Sequence, residues 1–535
     1  MPKCFIPQEE TNLAEFENEY TWGKAITNNS TEQFHADFDK AIDEAKKEFG
    51  KKYPIIINSK EIFSDNCFVV SSPSDTRLTI AEFPKASVSD TNNAISNAKN
   101  AFEKWSDTPY QKRVKIFRDC ADVFSSRKFF LAAIMTFENG KNRIESMGDV
   151  DEAIDFMRFY ALQLEKNEGF CKQTIHPNPH EKTQTIMKPY GVWGIIAPFN
   201  FPSAIAIGMA TGALITGNTV ILKPASAAPL SSFQFAKTLY PRMPMGAINF
   251  VTGSGSIVGK TLIESPDVDG IAFTGSREVG MKGFQEFTKS TTKPFISEMG
   301  GKNPVIVTKY ADLEKAAEGI MNAAFGFGGQ KCSACSRVYV QNKVADQFIS
   351  KLVEKTKQLK IGMPWDKQVF LGPVINKESK TKFENAVDTA KKEGEILTGG
   401  AVLTSTDLKN GYFVEPTIVT KLPEEHKLMK EELFLPFLCI QRYEIFDDAI
   451  KLANQSEYGL TAGIFSNDKK QLDEFFSRIQ AGVVYANRSA SATTAALVSS
   501  QPFVGWKHSG STGKGAGGEN YLQQFMRSQT QTRCD

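Results

Sequence analysis

One cysteine stands in a stretch whose residue types suit covalent chemistry. Cys332 lies in the run GGQKCSACSR, residues 328–337, where small residues surround the thiol. A thiolate is a strong nucleophile, and the glycines before it leave room for a substrate carbonyl to approach. Free cysteines are nevertheless most often packing residues. On this run alone, packing remains the more common explanation.

Two further stretches carry groups that could assist such a thiol. Glu298 lies in SEMGGKNP, residues 297–304, and Asn200 lies in APFNFP, residues 197–202. A carboxylate can activate water, and a side-chain amide can stabilise an oxyanion. An asparagine before Phe-Pro also often caps a turn. The three stretches together favour a catalytic role for Cys332.

These stretches resemble the aldehyde dehydrogenase superfamily, in which a cysteine attacks an aldehyde, hydride leaves to a nicotinamide, and water hydrolyses the thioester. Glu298 lies 34 residues before Cys332, which is similar to the spacing of base and nucleophile in the superfamily. The matching motifs run from about Pro198 to Gly510. The resemblance implies that Cys332 is the nucleophile and Glu298 the base that activates water. It also implies that Asn200 and the backbone N–H of Cys332 hold the oxyanion.

The run at 328–337 is most like the branch that oxidises L-glutamate γ-semialdehyde, the 1-pyrroline-5-carboxylate dehydrogenases. Residues 487–510 resemble the substrate-carboxylate loop of that branch. The resemblance implies that the aldehyde substrate is bound by Ser333, Ala495, Ala496 and Phe503.

The same loop departs from the branch. Ala495-Ala496 replaces a glycine followed by alanine or serine, and Ser499 and Val504 stand where further glycines are usual. An added methyl at Ala495 could crowd backbone N–H groups that would hold an α-carboxylate. Succinate or malonate semialdehyde therefore stays an alternative substrate.

Short apolar strands alternate with helices between Val192 and Glu298. This alternation predicts an α/β fold with a Rossmann-like, doubly wound parallel sheet that binds ligands at the carboxyl ends of its strands. The second half of the chain repeats the theme more loosely and predicts a second α/β domain.

Several of these strand ends carry groups suited to a nucleotide. Lys223 follows one strand, Gly255 follows the next, and Gly275-Ser276 opens a helix whose N-terminus favours a pyrophosphate. A lone Gly-x-Gly is usually a turn, but its recurrence at successive strand ends favours a nucleotide site.

The resemblance adds further cofactor contacts and implies NAD. Glu432 and Phe434, in KEELF, would bind the nicotinamide ribose and border the ring, although Leu435 replaces a usual glycine. Ser226 stands where many NAD-specific members have an acid, and a neutral residue there would not repel NADP, which remains possible. The predicted cofactor-binding residues are Lys223, Ser226, Gly255, Gly275, Ser276, Glu432, Phe434 and Pro198.

The predicted organisation has four parts. Residues 1–54 form an N-terminal arm packed on the surface, residues 55–170 and 190–297 the NAD(P)-binding domain, and residues 298–507 the catalytic domain. Residues 171–189 and 508–535 resemble the small oligomerisation arm of the superfamily. This resemblance implies a homo-oligomer, a dimer or a multiple of dimers.

Bulk composition excludes several partners. Lys+Arg 63 against Asp+Glu 61 gives a net charge of +2, which predicts neither nucleic-acid nor membrane binding. The eight cysteines include one Cys-x-x-Cys, Cys332 to Cys335, without a second pair, so we predict no metal site. Scattered cysteines and no signal-type segment indicate a cytoplasmic protein, or a mitochondrial matrix protein if a transit peptide was removed.

Two other functions remain open. One is a CoA-acylating semialdehyde dehydrogenase, or acyl-CoA reductase, in which CoA replaces water; Glu298 argues against it because that reaction needs no base to activate water. The other is a non-catalytic structural protein built on this fold. The presence of Cys332, Glu298, Asn200 and Lys223 together argues against that alternative.

Overall fold

The computed structural model describes residues 16–405, 407–489 and 497–534. Its helices in these ranges are α1 Thr21–Thr27, α2 Thr31–Ala45, α3 Val88–Ser106, α4 Tyr110–Ser126, α5 Lys128–Asn139, α6 Arg143–Lys166, α7 Ala204–Ile215, α8 Pro229–Leu239, α9 Lys260–Glu264, α10 Arg277–Thr288, α11 Leu313–Phe325, α12 Asn342–Lys357, α13 Lys377–Glu393, α14 Lys427–Lys430, α15 Phe446–Asn454 and α16 Lys469–Arg478.

The strands form two large sheets and three small ones. They are β1 Lys51–Lys52, β2 Ile55–Ile57, β3 Lys60–Ile62, β4 Cys67–Ser71, β5 Thr79–Pro84, β6 Cys171–Thr174, β7 Glu181–Pro189, β8 Val192–Ile196, β9 Thr219–Lys223, β10 Ile248–Phe250, β11 Gly270–Thr274, β12 Phe295–Glu298, β13 Asn303–Val307, β14 Cys335–Gln341, β15 Glu395–Thr398, β16 Thr417–Thr420, β17 Phe437–Tyr443, β18 Tyr458–Gly459, β19 Thr461–Phe465, β20 Val483–Ala486, β21 Trp506–Lys507 and β22 Met526–Cys534.

The first large sheet has the strand order β12-β11-β8-β9-β10-β2-β3. Strands β8 to β12 pair in parallel, and β2 and β3 add an antiparallel edge. Strands β8 and β9 are buried along their whole length, which explains why they are continuous apolar runs rather than alternating ones. The predicted α/β fold with a Rossmann-like, doubly wound sheet is confirmed.

The second large sheet has the order β15-β16-β17-β14-β13-β19-β20. Its strands are parallel except β15. At its centre, β13 begins directly after Lys302 and β14 begins at Cys335, and Asn303 pairs with Cys335. The segments that precede these two strands, which hold Glu298 and Cys332, are therefore brought side by side.

A three-stranded antiparallel sheet joins distant parts of the chain. Its order is β22-β7-β6, and β22 pairs with β7 from Met526↔Pro189 to Cys534↔Glu181. These strands lie in the two segments predicted as the oligomerisation arm. The boundaries of the four predicted parts stay a prediction.

Some local predictions need correction. In the sequence, Ser89-Asp90 before an apolar stripe predicts an N-cap, but helix α3 begins after Ser87, whose side chain and that of Asp90 form a capping box. The N-terminal arm also does more than cover the surface, because Phe34 and Phe38 of α2 are buried in the same apolar core as α5 and α6. Within the part of the chain that the structure describes, no helix has both the length and the apolar character needed to cross a membrane.

Candidate active site

The segment before Cys332 is a tight turn held by one glutamine. Phe327, Gly328 and Gly329 all have positive φ angles, and a Cβ on Gly329 would lie 2.2 Å from the Leu435 carbonyl oxygen. The buried Gln330 side chain donates to the Phe327 carbonyl at 3.2 Å and accepts from the Ile375 N–H at 2.9 Å. The glycines and Gln330 therefore fix the path by which the chain reaches the thiol.

An asparagine holds the other side of this loop. Asn303 Nδ2 donates to the carbonyl oxygens of Cys332 and Ala334 at 2.7 and 2.9 Å, and its Oδ1 accepts from the Thr461 N–H at 3.0 Å. A Cβ on Gly301 would lie 2.4 Å from the Cys332 carbonyl oxygen. The loop thus packs closely against the segment that follows Glu298.

The thiol of Cys332 favours its protonated form. Burial raises its pKa above the ordinary value, and the charges of Glu432 and Glu298 raise it further. The backbone N–H groups of Ser333 and Cys332 act in the opposite direction because they donate toward the sulfur. A nearby base must therefore remove the proton before this sulfur can attack.

Glu298 ends β12 and is a suitable base. Burial raises its pKa well above the ordinary value, although a hydrogen bond from the Gly505 backbone lowers it. Its buried Oε2 has no hydrogen-bond partner among the described residues. The raised pKa makes this carboxylate a stronger base than an exposed one.

Asn200 lies next to the nucleophile loop. Its side chain is buried, and Nδ2 donates to the Gln330 carbonyl oxygen at 3.0 Å. This bond uses one of the two amide hydrogens and leaves the second for another acceptor. The predicted oxyanion role of Asn200 stays a prediction.

Lys223 and Ser226 lie where β9 and β10 end. The buried Lys223 ammonium donates to the Pro224 carbonyl at 3.0 Å, and burial lowers its pKa to about 8. Ser226 donates to the Gly253 carbonyl at 3.2 Å, which joins the two strand ends. Gly255 opens a single π-helical turn, Gly255–Gly259, and a Cβ there would meet nothing within 4 Å.

The remaining predicted cofactor residues lie in three places, at the start of α10, after α14 and after β8. Ser276 is the N-cap of α10 but its side chain makes no capping bond, and the N–H of Gly275 donates to the Glu298 carbonyl at 3.2 Å. Glu432 accepts from the Gly301 N–H at 2.9 Å, and burial raises its pKa to about 7. Phe434 has a φ of 62° and meets Phe199, the residue after Pro198, edge to face at 5.8 Å.

The predicted substrate residues are only partly described. Ser333 is buried and follows the nucleophile, and Phe503 pairs with Ala516. Ala495 and Ala496 lie outside the described residues. Ser499, which replaces a usual glycine, has a φ of 73°, a conformation that costs a serine more than a glycine.

Five largely buried acids on helix α6 were not among the residues predicted from the sequence. Glu145 pairs with Lys331, the residue before the nucleophile, at 2.6 Å, and Asp149 pairs with Lys141 at 2.7 Å. Glu152 has a pKa raised to about 8, chiefly by burial, and its carboxyl forms no hydrogen bond or ion pair with the described residues. The spacing of Glu145, Asp149 and Glu152 by four and three residues was the available signal, because it places them on one face.

Comparisons with known proteins agree with this geometry. The aldehyde dehydrogenase family matches residues 62–531. The chain belongs to this family. One relative, a 1-pyrroline-5-carboxylate dehydrogenase of Geobacillus sp. (strain WCH70), is 38% identical over 94% of this chain and 97% of its own.

Solved aldehyde dehydrogenase structures extend the likeness. The structure of 1-pyrroline-5-carboxylate dehydrogenase from Thermus with bound NAD has a TM-score of 0.90 at 32% identity, over 98% of this chain and 100% of that one. Proline utilization A from Bdellovibrio bacteriovorus gives a TM-score of 0.91 at 34% identity over 99% of this chain. The chain spans about half of that longer protein, 54% of its length.

Proposed function

We propose that this aldehyde dehydrogenase oxidises L-glutamate γ-semialdehyde to L-glutamate with NAD, through a covalent intermediate on Cys332. The observation that carries the proposal is the loop around Cys332, which Asn303 and Gln330 hold beside a buried Glu298 carboxyl without a hydrogen-bond partner on Oε2. The 1-pyrroline-5-carboxylate dehydrogenase of Geobacillus, similar over nearly its whole length, supports the choice of substrate.

The residues present fit a nicotinamide dinucleotide. The Lys223 ammonium is buried, burial lowers its pKa to about 8, and it donates to the carbonyl oxygen of the next residue, Pro224. An anionic or hydroxyl ligand would stabilise its charge. Ser276 leaves the N-terminus of α10 without a side-chain cap, as a pyrophosphate site requires. Bound NAD would accept the hydride lost by the aldehyde carbon.

The chain's own groups carry the rest of the reaction. Glu298 takes the thiol proton from Cys332, directly or through water, and the sulfur then bonds to the aldehyde carbon. The Asn200 amide and the Cys332 N–H stabilise the oxyanion. After hydride loss leaves a thioester, Glu298 activates a water that attacks it, which releases the carboxylate product and returns the thiol.

Glu152 favours an amino-acid aldehyde over a simple semialdehyde. Burial, followed by the charge of Asp149, raises the pKa of its carboxyl to about 8, while the charges of Lys141 and, more weakly, Lys331 lower it. A substrate ammonium would favour the charged carboxylate and form an ion pair with it. Succinate and malonate semialdehydes carry no ammonium. Ser333 would bind the α-carboxylate.

The test is the initial rate of NADH formation with glutamate γ-semialdehyde, succinate semialdehyde and malonate semialdehyde, each with and without CoA. We expect a preference in kcat/KM of at least about tenfold for glutamate γ-semialdehyde, without CoA. Glu152→Gln should reduce that preference, and Glu378→Gln, at an exposed position of α13, serves as the matched control. A faster reaction with succinate semialdehyde, or turnover that needs CoA, would contradict the proposal.

We also propose a homo-oligomer built through β6, β7 and β22, and a reducing compartment such as the cytoplasm. The oligomer is supported by the sheet that these strands form and by the exposed Ile175 at its hairpin end. The compartment is supported by the cysteines in the described ranges, all of which are free thiols. Light scattering of the purified protein tests the oligomer.

A further inference from the structure

Residues 18–21, a segment that ends at the first residue of α1, lie against two buried acids of α6. The Glu19 N–H donates to Asp155 Oδ1 at 2.9 Å. The Thr21 N–H and hydroxyl donate to the two oxygens of Asp151 at 2.6 and 2.7 Å. Burial raises the pKa of Asp155 to about 7 and that of Asp151 to about 6, while these donors lower both values. The segment therefore supplies the polar partners that two costly carboxyl groups need.

One residue of this segment reaches further. Asn18 Nδ2 donates one hydrogen to Asp155 Oδ2 at 2.8 Å and the other to the Val498 carbonyl oxygen at 3.0 Å. Val498 is 480 residues away in the sequence and is buried. A primary amide is the neutral group that can serve two acceptors from one nitrogen. Asn18 thus ties helix α6 to residues 497–504.

Both of the elements that Asn18 joins bear on the substrate end of the site. On α6, Asp151 and Asp155 form one stripe beside the stripe of Glu145, Asp149 and Glu152. Residues 497–504 contain Phe503, a predicted substrate residue. The backbone of this loop is otherwise tied chiefly to residues 516–517, through the Ser499 N–H to Gly517 and the Phe503 N–H to Ala516, both at 2.9 Å.

We propose that Asn18 is a positioning residue for substrate selectivity: it sets the distance between α6 and residues 497–504, and so the fit of the charged amino-acid end of the substrate. This inference rests on the proposed function. Substrate recognition and the position of the thiol then depend on different residues. Asn303 and Gln330 hold the loop around Cys332, and these contacts do not involve Asn18. Loss of Asn18 should weaken recognition of the amino-acid end and leave the chemistry at the thiol intact.

The experiment compares wild-type enzyme with Asn18→Ala on two substrates. One is glutamate γ-semialdehyde, supplied as the 1-pyrroline-5-carboxylate with which it equilibrates in water, and the other is propanal, which has no charged end. We expect KM for the first to rise about tenfold, as the loss of one hydrogen bond gives, with kcat, KM for NAD and the propanal rate unchanged within about twofold. Asn18→Ser, which donates a single hydrogen, should give a smaller rise.

Thr21→Val is the matched control. It removes a hydroxyl bond from the same segment to α6 but makes no contact with residues 497–504, so substrate selectivity should stay at the wild-type value. Amide hydrogen exchange gives a readout that needs no substrate: Ser499 and Phe503 should exchange faster in Asn18→Ala and not in Thr21→Val.

The outcomes separate the two proposals. Wild-type enzyme that does not prefer glutamate γ-semialdehyde to propanal overturns the proposed function and the selectivity role of Asn18 with it. Three results would overturn the inference alone. Asn18→Ala could keep the wild-type preference, it could lose activity equally on both substrates, or Thr21→Val could change the preference as much as Asn18→Ala does. Faster exchange at Ser499 and Phe503 together with a KM effect confined to the charged substrate supports it.

Discussion

Asn303 donates to the carbonyl oxygen of Cys332 at 2.7 Å, across 29 residues of sequence. The same nitrogen donates to the Ala334 carbonyl oxygen, so one amide holds the chain on both sides of Ser333. The strand that follows the proposed base therefore also fixes the proposed nucleophile.

Asn303→Ala should lower kcat by about 10 to 100-fold, because a displacement of the nucleophile by about 1 Å can cost a hundredfold. KM for NAD should change little. Steady-state kinetics measures both, and Asn376→Ala, which removes the cap of α13 instead, is the control. An unchanged kcat in a folded Asn303→Ala enzyme would show that the loop holds its position without this bond.

Cys332→Ala should abolish oxidation while NAD still binds, because the nucleotide residues lie on other elements. Cys335→Ala should keep most of the activity: its thiol is buried, burial raises its pKa to about 12, and it lies at the start of β14. Activity assays and calorimetric titration with NAD distinguish the two. Equal losses in both variants would remove Cys332 from its assigned role.

Glu298→Gln should give neither an NADH burst nor steady-state turnover, because it removes the base that takes the thiol proton of Cys332 and also activates water. A burst of about one NADH per active site that then stalls at the thioester would instead confine Glu298 to the water step. Stopped-flow absorbance measures the burst. Because a base acts only when unprotonated and burial raises the pKa of Glu298, the steady-state rate of wild-type enzyme should rise with pH through that raised value. A missing burst would place Glu298 at the thiol deprotonation step.

NAD affinity should depend on the charge of Glu432. Burial raises its pKa to about 7, against the Gly301 N–H and the charges of Lys382 and Lys302, which lower it. A charged carboxylate accepts hydrogen bonds from ribose hydroxyls more strongly than a protonated one. The Kd for NAD should therefore fall as pH rises from about 6 to 8. Glu432→Gln should flatten this dependence, and a wild-type Kd that is constant over this range would contradict the role.

Glu19 should stabilise the fold above about pH 4.5. Burial raises its pKa, but the hydrogen bond and charge of Lys128 and the bonds from Ser125 and Arg158 lower it further, to about 2. A lowered pKa gives stability that is complete above the unfolded value of 4.5 and is lost as pH falls toward 2. Glu19→Gln should cost about 2 kcal/mol at pH 7 and less at pH 3, measured by urea unfolding. The exposed Glu17→Gln is the control, and an equal loss in both would contradict the prediction.

The sequence predicted those parts of the site that local runs encode. Short buried strands with a glycine or lysine at their ends predicted the sheet and the positions of Lys223 and Ser276 at its edge. Cys332 and Glu298 each lie in a short run that contains adjacent glycines, and Asn200 lies between two prolines, so each run stands out locally in the sequence.

Contacts between distant segments were not predictable in this way. Nothing near Lys331 indicates that its partner is Glu145, 186 residues earlier, and nothing near Asn18 points to Val498. The acids of α6 resemble a solvated helix face until the packing of α1 and the nucleophile loop against them is known. The start of helix α3 was also misplaced, because Ser87, and not the nearby Ser89, caps this helix.

The pairing of β22 with β7 also constrains the synthesis of the chain. Strand β22 begins at Met526 and its partner β7 ends at Pro189, so more than 300 further residues must leave the ribosome before this sheet can close. At about 5–20 residues per second, β7 keeps an open edge for tens of seconds. During that interval the edge can pair with a neighbouring nascent chain, and two protomers translated side by side could exchange their C-terminal strands before either has finished folding.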